Sequence, residues 1–341
     1  MIKTIIRRFI IVTSIILIIF IVIPGIVFNI SPFAGSMIIR LLFDHLSKES
    51  PEDSAYRDSV HVLYDIAYGN SDDEFLDLYI PKSNDTQYPL IIWTHGGAFV
   101  GGDKKDVTYL AEALAYNGYA VASINYTRAP EASYPTPIRQ LNKAYEFLIN
   151  QTYLYSDKIN TDCVFLAGDS AGAHVAAFFA VLQTNQTFRK RFLNVHNITD
   201  FSEPKTIAGT LLYCGPFSIQ RFNKISNPLM RFMIQQAGWA YFGNKNPAKS
   251  PFAYEIDITS NVTADFPPSF IADGNLLSFA EHGKDLTERL SELGVPAEGL
   301  FFEDREDDIP HEFQFDLSTD AGMISLEHTI KFLEKYYQNE Q

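Results

Sequence analysis

Short apolar segments alternate along most of the chain with segments whose apolar residues recur at helical spacing. Residues 89–94 and 119–124 are compact apolar runs, which are typical of strands buried on both faces of a sheet. Residues 107–117 between them have helical spacing and end at Gly118. The other predicted strands are 60–68, 75–80, 164–167, 207–213, 269–272 and 298–302, and the other predicted helices are 138–149, 171–183, 281–293 and 318–337. This alternation predicts an α/β fold with a mostly parallel central sheet and helices on both faces.

Composition and charge exclude several classes of protein. With 46% hydrophobic and 20% charged residues, the 341-residue chain is too apolar to be disordered and long enough for one large core. A net charge of -14 argues against nucleic acid or an anionic membrane surface as the main partner. The two cysteines, Cys163 and Cys214, are too few for a disulfide framework or a zinc cluster. We expect them at opposite ends of neighbouring parallel strands, and therefore as free thiols.

Residues 9–28 form a segment of 20 residues without a charge, most of them Ile, Val, Leu and Phe. A helix of that length spans about 30 Å, the thickness of the hydrocarbon core of a bilayer. Lys3, Arg7 and Arg8 precede it, which favours a single-pass signal anchor with a cytoplasmic N-terminus and the rest of the chain lumenal or extracellular. The alternative is a cleaved signal peptide, whose apolar core is usually shorter.

Seven Asn-x-Ser/Thr sequons bear on the same question of location. They are Asn29, Asn84, Asn125, Asn150, Asn185, Asn197 and Asn261. Their number suits a glycosylated lumenal or secreted domain, although an asparagine-rich chain also acquires sequons by chance.

The predicted organisation has three parts. Residues 1–30 form the transmembrane anchor, and residues 31–58 form a helical lead-in that could belong to a cap. Residues 59–341 form the main α/β domain. Within it, residues 217–261 interrupt the alternation and are predicted to be a cap insertion over the sheet.

Residues 168–172 are Gly-Asp-Ser-Ala-Gly and match the pattern G-x-S-x-G. They follow a predicted strand and begin a predicted helix, which is the context of a nucleophile elbow. The sharp turn leaves no room for side chains at Gly168 and Gly172, and it projects the hydroxyl of Ser170 above the sheet. The pattern therefore predicts Ser170 as a catalytic nucleophile.

A second glycine-containing segment, His95-Gly96-Gly97-Ala98, follows the predicted strand 89–94. Backbone N–H groups in such a loop can point at an oxyanion when the loop packs tightly, which glycine permits. We expect the N–H groups of Gly97, Ala98 and Ala171 to form an oxyanion hole.

The nucleophile needs a base, because a serine hydroxyl reacts poorly unless an imidazole takes its proton. After a nucleophile elbow, the acid and then the histidine follow along the chain. His311 lies between the last predicted strand and the final helix, where a loop-borne base belongs, and we expect it to be the base. The remaining histidines after Ser170 are expected elsewhere: His174 pointing away from the pocket, His196 in a polar stretch, and His282 and His328 on helix surfaces.

The acid that orients the imidazole should follow the predicted strand 269–272. Asp273 stands at the end of that strand and is the predicted acid. Asp265 precedes the strand, and Glu281 and Asp285 fall within the next helix. The acidic residues close to His311 are expected to form a solvated loop; they are Glu303, Asp304, Glu306, Asp307 and Asp308.

Four segments resemble the hormone-sensitive-lipase-like branch of the α/β-hydrolases, which includes the arylacetamide deacetylases and many bacterial carboxylesterases. They are THGGAFVGGDK (94–104), INYTRAPEASYP (124–135), AGDSAGAH (167–174) and DIPHEFQF (308–315). The resemblance extends from about residue 60 to the C-terminus. It implies an α/β-hydrolase fold with Ser170 as nucleophile, His311 as base, and oxyanion donors at Gly97, Ala98 and Ala171.

Two positions depart from the pattern of this family. The family usually has HGGG, whereas here Ala98 stands at the last position and still provides an N–H donor. The family acid usually lies in a strand-G-x-x-D-x-L pattern. In this chain Asp273 or Asn275 falls at the acid position, depending on where a gap is placed.

Together these residues predict a serine hydrolase that cleaves small-molecule carboxylic esters of short to medium acyl chains through an acyl-enzyme, without a metal or organic cofactor. Tyr126 and Trp239 are candidate substrate-binding residues, with Phe222, Met230, Phe232 and Met233 of the insertion as further candidates. Two alternatives stay open: an inactive binding or adhesion module on the same fold, and a deacetylase that acts on amides or acetylated carbohydrates.

Overall fold

The computed structural model describes Thr13 and residues 23–43, 56–83, 87–150 and 156–338. Most of the predicted anchor 9–28, part of the predicted lead-in 31–58 and the sequon Asn84 lie outside the described residues. Within the described ranges, every helix falls short of the length and apolar character needed to cross a bilayer.

The described strands form one eight-stranded sheet. They are β1 (Val60–Ala67), β2 (Phe75–Pro81), β3 (Tyr88–Thr94), β4 (Ala120–Ile124), β5 (Ile159–Asp169), β6 (Gly209–Tyr213), β7 (Ser269–Asp273) and β8 (Ala297–Phe301). Their order across the sheet is β1-β2-β4-β3-β5-β6-β7-β8. Only β2 runs antiparallel to both of its neighbours, and from β4 to β8 all adjacent pairs are parallel. The predicted α/β-hydrolase fold with a mostly parallel sheet is thereby confirmed.

Helices connect these strands and precede them. They are α1 (Ile23–Ile30), α2 (Phe33–Phe43), α3 (Thr108–Tyr116), α4 (Thr136–Ile149), α5 (Ala171–Thr184), α6 (Gln186–Val195), α7 (Pro228–Phe242), α8 (Ile258–Asn261), α9 (Ala280–Glu292) and α10 (Asp320–Gln338). Short 3-10 turns at Ile219–Lys224 and Pro247–Lys249 flank α7 within the segment predicted as a cap.

The sheet is buried on both faces because successive side chains of a strand point to opposite sides. On β3, Ile92 packs in the core beneath α4 and α5, whereas Ile91 and Trp93 pack in the core beneath α3 and α10. Each of these three side chains is fully buried. Complete burial of an aliphatic side chain stabilises the folded state by about 1.5–3 kcal/mol. The cores on the two faces therefore hold β3, and with it the start of the loop that follows, in a fixed position.

Three of the sequon asparagines are engaged inside the fold. Asn125 accepts a hydrogen bond from the Lys104 N–H, Asn185 caps α6 through the Phe188 N–H, and buried Asn261 donates to two carbonyls. A glycan attaches to the side-chain nitrogen of asparagine, and in all three residues this nitrogen also donates a hydrogen bond inside the fold. Asn29, Asn150 and Asn197 are exposed.

Both cysteines are buried, and no disulfide joins them. Cys163 lies within β5, and Cys214 follows the end of β6. The arrangement agrees with the two free thiols expected from the sequence.

Candidate active site

Ser170 occupies the turn between β5 and α5, with φ 49° and ψ -117°, a conformation that side-chain-bearing residues rarely adopt. A Cβ on Gly168 would lie 2.6 Å from the Gly172 carbonyl, and a Cβ on Gly172 would lie 2.0 Å from the Thr94 oxygen. Both positions therefore require glycine, as the sequence pattern indicates. The strained turn lifts the serine hydroxyl out of the sheet into a cavity.

His311 meets Ser170 across this turn. Its Nε2 lies 2.9 Å from the Ser170 Oγ, although 141 positions separate the two residues in the chain. The loop between β8 and α10 carries His311, and the His311 N–H donates to the Leu276 carbonyl oxygen. The structure thus brings the predicted nucleophile and base into hydrogen-bond contact.

Of the two candidate acids, Asp273 is the one that faces the imidazole. Its Oδ1 lies 3.7 Å from the His311 Nδ1, and its two oxygens accept hydrogen bonds from the N–H groups of Gly274 and Phe279. Asn275 is directed elsewhere. Its side chain donates to the carbonyls of residues 302 and 307 and accepts from the N–H of residue 309. Asn275 thereby joins the loop after β7 to the loop between β8 and α10, which carries His311.

The surroundings of His311 act on its pKa in two directions. Burial lowers the pKa of His311, because the charged imidazolium loses solvation. The carboxylate of Asp273, and after it that of Glu312, more than offset this effect, so the pKa of His311 lies above its usual value. The imidazole is thereby prepared to hold a proton taken from Ser170.

The loop after β3 presents backbone donors beside Ser170. Gly97, Ala98 and Phe99 all have positive φ, at 90°, 54° and 63°. Among the described residues, none accepts a hydrogen bond from the N–H of Gly97 or Ala98. The N–H of Ala171, at the first position of α5, has no partner within the helix. These three groups are therefore available to an oxyanion.

His95 and Tyr126 support this loop from beneath. The His95 ring stacks on the Tyr126 ring at 4.4 Å, and the Tyr126 hydroxyl lies 3.2 Å from the carbonyl oxygens of His95 and Gly96. Burial lowers the pKa of His95 to about 4, so its ring is neutral. Tyr126 was a predicted substrate-binding residue, but it is fully buried under the loop and does not line the cavity.

The cavity above Ser170 has a volume of about 250 Å³ and an almost entirely apolar lining. Phe222, Met230 and Met233 of the predicted insertion contribute to it. Trp239 does not line it, because this ring lies beneath the Lys245 ammonium group at 4.5 Å. Phe232 instead packs edge-on against Phe28 of α1. The helical periodicity of α7 directs these two aromatic rings away from the cavity.

Two buried carboxyl groups near the site were not singled out from the sequence. Asp169 accepts hydrogen bonds from the Trp93 indole and the Gly96 N–H, and Glu312 Oε1 lies 3.9 Å from the His311 Nε2. Burial raises the pKa of both carboxyls, most strongly that of Asp169, which Glu312 raises further. Neighbouring buried carboxyls share a proton rather than both ionising. The sequence signal that could have identified Asp169 was a carboxylate next to the predicted nucleophile, at the end of the apolar run 163–167.

One cluster near the site has the residue types of a metal site. The ligand-type atoms of Cys214, Asp273 and His311 lie within 4.8 Å of one another. Burial, and after it the carboxylate of Asp273, raises the pKa of the Cys214 thiol well above its usual value. Two members of the cluster are engaged at the candidate site, because His311 contacts Ser170 through its Nε2 and Asp273 faces the His311 Nδ1.

The other candidate histidines lie away from the nucleophile. His174 is buried with its Nε2 3.0 Å from the Ile256 carbonyl oxygen, and burial lowers its pKa to about 4. His196 pairs with Glu255, and His328 is exposed. The expected surface position of His282 is wrong: it is 2% exposed, and burial lowers its pKa to about 3. The 217–261 segment covers it, where its Nδ1 accepts from the Ser218 N–H.

The other candidate acids do not contact His311. Glu281 and Asp285 both pair with Arg221, and Asp265 is exposed. The acidic residues between 303 and 308 are exposed, as expected for a solvated loop.

Comparison with protein-family models matches residues 76–282, more than half of the chain, to the family described as BD-FAE. Similar curated proteins include a kynurenine formamidase of Danio rerio, 32% identical over 143 residues, and an esterase of Gibberella moniliformis, 29% identical over 221 residues. These alignments cover 42% and 62% of this chain, and 46% and 64% of the two relatives. The chain therefore spans less than two thirds of the length of either relative.

Solved structures share the fold. Esterase B from Lactobacillus rhamnosis superposes with a TM-score of 0.70 at 19% identity, over 91% of this chain and 98% of that one. Identity this low carries the fold alone, and the chemistry has to be argued from the residues around Ser170.

Proposed function

Because the chain belongs to the BD-FAE family, which confirms the α/β-hydrolase family predicted from its motifs, we propose that it is a serine hydrolase of carboxylic esters. The observation that carries this proposal is the 2.9 Å contact between Ser170 Oγ and His311 Nε2 at a strained elbow. This arrangement is what nucleophilic acyl transfer requires. The curated relatives named as esterases support it.

In the proposed reaction, Ser170 attacks the ester carbonyl carbon while His311 takes the hydroxyl proton. The negative charge that develops on the carbonyl oxygen is stabilised by the N–H groups of Gly97, Ala98 and Ala171. Asp273 stabilises the imidazolium that forms at this stage. His311 then protonates the leaving alcohol, and an acyl group remains on Ser170.

Deacylation repeats these steps with water as the nucleophile. His311 takes a proton from the water and gives it to the Ser170 oxygen as the bond between that oxygen and the acyl carbon breaks, and the carboxylic acid leaves. A cavity of about 250 Å³ lies below the usual size of sites for drug-sized ligands. This favours short to medium acyl chains over long ones.

The formamidase relative favours a second candidate activity, the hydrolysis of an aryl formamide. The same nucleophile and oxyanion donors serve an amide, and only the leaving group differs. The inactive-module alternative is disfavoured, because the serine, the imidazole and the carboxylate lie together.

The N-terminal segment 9–28 supports a proposal for location. We infer a retained single-pass anchor, with Lys3, Arg7 and Arg8 cytoplasmic and the hydrolase domain lumenal or extracellular. Glycans at the exposed Asn150 and Asn197 are then expected, and a mobility shift on endoglycosidase treatment tests for them. Loss of that shift in the double variant N150Q/N197Q identifies the sites.

Activity is tested with the full chain in detergent. A fluorophosphonate probe should label the protein, and Ser170→Ala should abolish the label. Hydrolysis of p-nitrophenyl esters from acetate to palmitate should be fastest for short to medium chains, and formanilide measures the amide activity. Absence of labelling and of all turnover would refute the proposal, and a maximum at palmitate would refute the chain-length preference.

A further inference from the structure

Large apolar side chains are exposed on the two helices that precede the sheet. We call this the α1–α2 surface, and it includes the adjacent first turn of α7. Its side chains are between 48% and 71% exposed; they are Ile26, Ile30, Phe33, Leu41, Leu42 and Leu229. Contiguous apolar exposure of this kind marks an interaction site more often than an ordinary surface.

These side chains are exposed although their helices are firmly docked. On the opposite side of α2, Gly35, Ser36 and Ile39 are buried. A Cβ on Gly35 would lie 2.4 Å from the Gln236 side chain, so α2 approaches α7 as closely as glycine permits. Arg40 also holds α2 to the loop after β4, because it donates to the Ala129 carbonyl and pairs with Glu131.

The α1–α2 surface is continuous with the wall of the cavity above Ser170. Leu229 belongs to both, and Phe43, which follows the exposed Leu42, also lines the cavity. The apolar lining of the cavity above Ser170 therefore reaches α2 and the first turn of α7, next to the exposed side chains.

The position of the surface along the chain indicates what covers it. The uncharged segment 9–28 ends within α1. If this segment spans a bilayer, Ile30 lies about 3 Å beyond its end at 1.5 Å per residue. The helix α2 begins three residues later, at Phe33, and therefore starts close to the boundary between head groups and acyl chains, where interfacial helices bury their apolar faces. The only charged residue between 23 and 43 is Arg40, which is paired.

We propose that the α1–α2 surface lies in the interfacial region of a lipid bilayer, and that esters dissolved in the bilayer enter the cavity from the lipid. The inference rests on the proposed esterase function and on the proposed anchor. A bilayer is favoured over a second copy of the chain because the apolar segment 9–28 adjoins the surface directly.

The contact with lipid is tested by depth-dependent quenching. The full chain with Leu41→Cys, labelled with an environment-sensitive fluorophore, is reconstituted in phosphatidylcholine vesicles that contain brominated lipid. Cys163 and Cys214 are buried, so the introduced thiol reacts selectively. Met323→Cys on α10 is the matched control. Strong quenching at position 41 with little at position 323 is expected. Equal quenching at both positions overturns the proposal. The proposal is also overturned if the emission at position 41 changes with protein concentration and not with the content of brominated lipid, because that result indicates contact with a second copy of the chain.

Entry of substrate from the lipid is tested by placing two negative charges on the α1–α2 surface. The double variant L41E/L42E should hydrolyse hexadecyl acetate in vesicles at least about tenfold more slowly, because the two carboxylates oppose insertion. Its hydrolysis of soluble p-nitrophenyl acetate should stay within about twofold, and Val195→Glu on α6 should alter neither rate. An unchanged rate on hexadecyl acetate, or equal losses on both esters, overturns the proposal. If the unmodified protein hydrolyses neither ester, the proposed function fails, whereas the quenching result still decides whether the surface meets lipid.

Discussion

Replacement of Asp273 by Asn is expected to lower kcat/KM for p-nitrophenyl acetate about a thousandfold while leaving the fold intact. The side chain keeps its shape, and an oxygen remains to accept one of the two backbone hydrogen bonds that Asp273 now receives. What disappears is the negative charge that faces His311. The loss is therefore specific to the step in which the imidazole becomes charged.

The magnitude follows from the distance between the two groups. Asp273 Oδ1 and His311 Nδ1 are 3.7 Å apart, and both side chains are largely buried. At an effective dielectric constant of about 20, unit charges at that separation attract by about 4.5 kcal/mol. Each 1.36 kcal/mol of transition-state free energy corresponds to about a tenfold change in rate, which gives roughly three powers of ten.

The assay is the dependence of kcat/KM on pH. Asp273 raises the pKa of His311, so its removal lowers that pKa. The free imidazole is then present at lower pH, and the acidic limb of the profile moves to lower pH while the plateau falls. If the substitution only reduced the fraction of folded protein, the plateau of kcat/KM would fall and the acidic limb of the profile would stay at the same pH.

Asn275→Asp is the matched control for this prediction. Its amide donates to two carbonyls, so an aspartate there loses both bonds and destabilises the fold by about 1–2 kcal/mol. Activity should stay within about tenfold of the unmodified protein, because the side chain does not face His311. An active Asp273→Asn enzyme, or recovery of activity on adding Asn275→Asp to it, would show that the acid has been misassigned.

Three further changes are expected to give distinct results. Gly172→Ala places a Cβ 2.0 Å from the Thr94 oxygen and should destabilise the fold by more than about 2 kcal/mol, measured by urea denaturation. Glu312→Gln removes a carboxyl that raises the pKa of His311; the acidic limb of kcat/KM should move to lower pH, by less than in Asp273→Asn, and a move to higher pH would contradict this. Asn185→Ala removes the cap of α6 and should cost about 1 kcal/mol in urea denaturation without altering kcat.

The sheet and the nucleophile could be predicted because their signals are local. A strand buried on both faces needs a continuous apolar run, and residues 89–94 have one that matches β3 within one residue. The glycines around Ser170 follow from contacts within a few residues of the turn and across to Thr94. Helix α6 was not predicted, because its buried side chains are few and its start depends on the Asn185 cap.

Positions that depend on distant packing could not be derived in the same way. His282 lies on a helix with polar neighbours, and its burial comes from the segment around Ser218, 64 positions earlier. Glu312 follows the predicted base in the chain, but it lies close to Asp169 only because the loop between β8 and α10 packs over the loop after β3. Neither contact produces a periodic pattern in the sequence, because each joins segments that are far apart along the chain and meet only in the folded protein.

Asp273 and Asn275 show how a carboxylate can face His311 although an amide stands two positions further along the chain. Residues at the end of β7 have two structural roles. One role is to place a carboxylate opposite His311. The other is to hold the loop between β8 and α10, which carries His311, against the sheet. Asp273 performs the first from the last residue of the strand, where two backbone N–H groups fix its orientation. Asn275 performs the second with three hydrogen bonds that an ionised aspartate could not all form. Because different residues fill the two roles, position 275 can be an amide while Asp273 keeps the negative charge opposite His311.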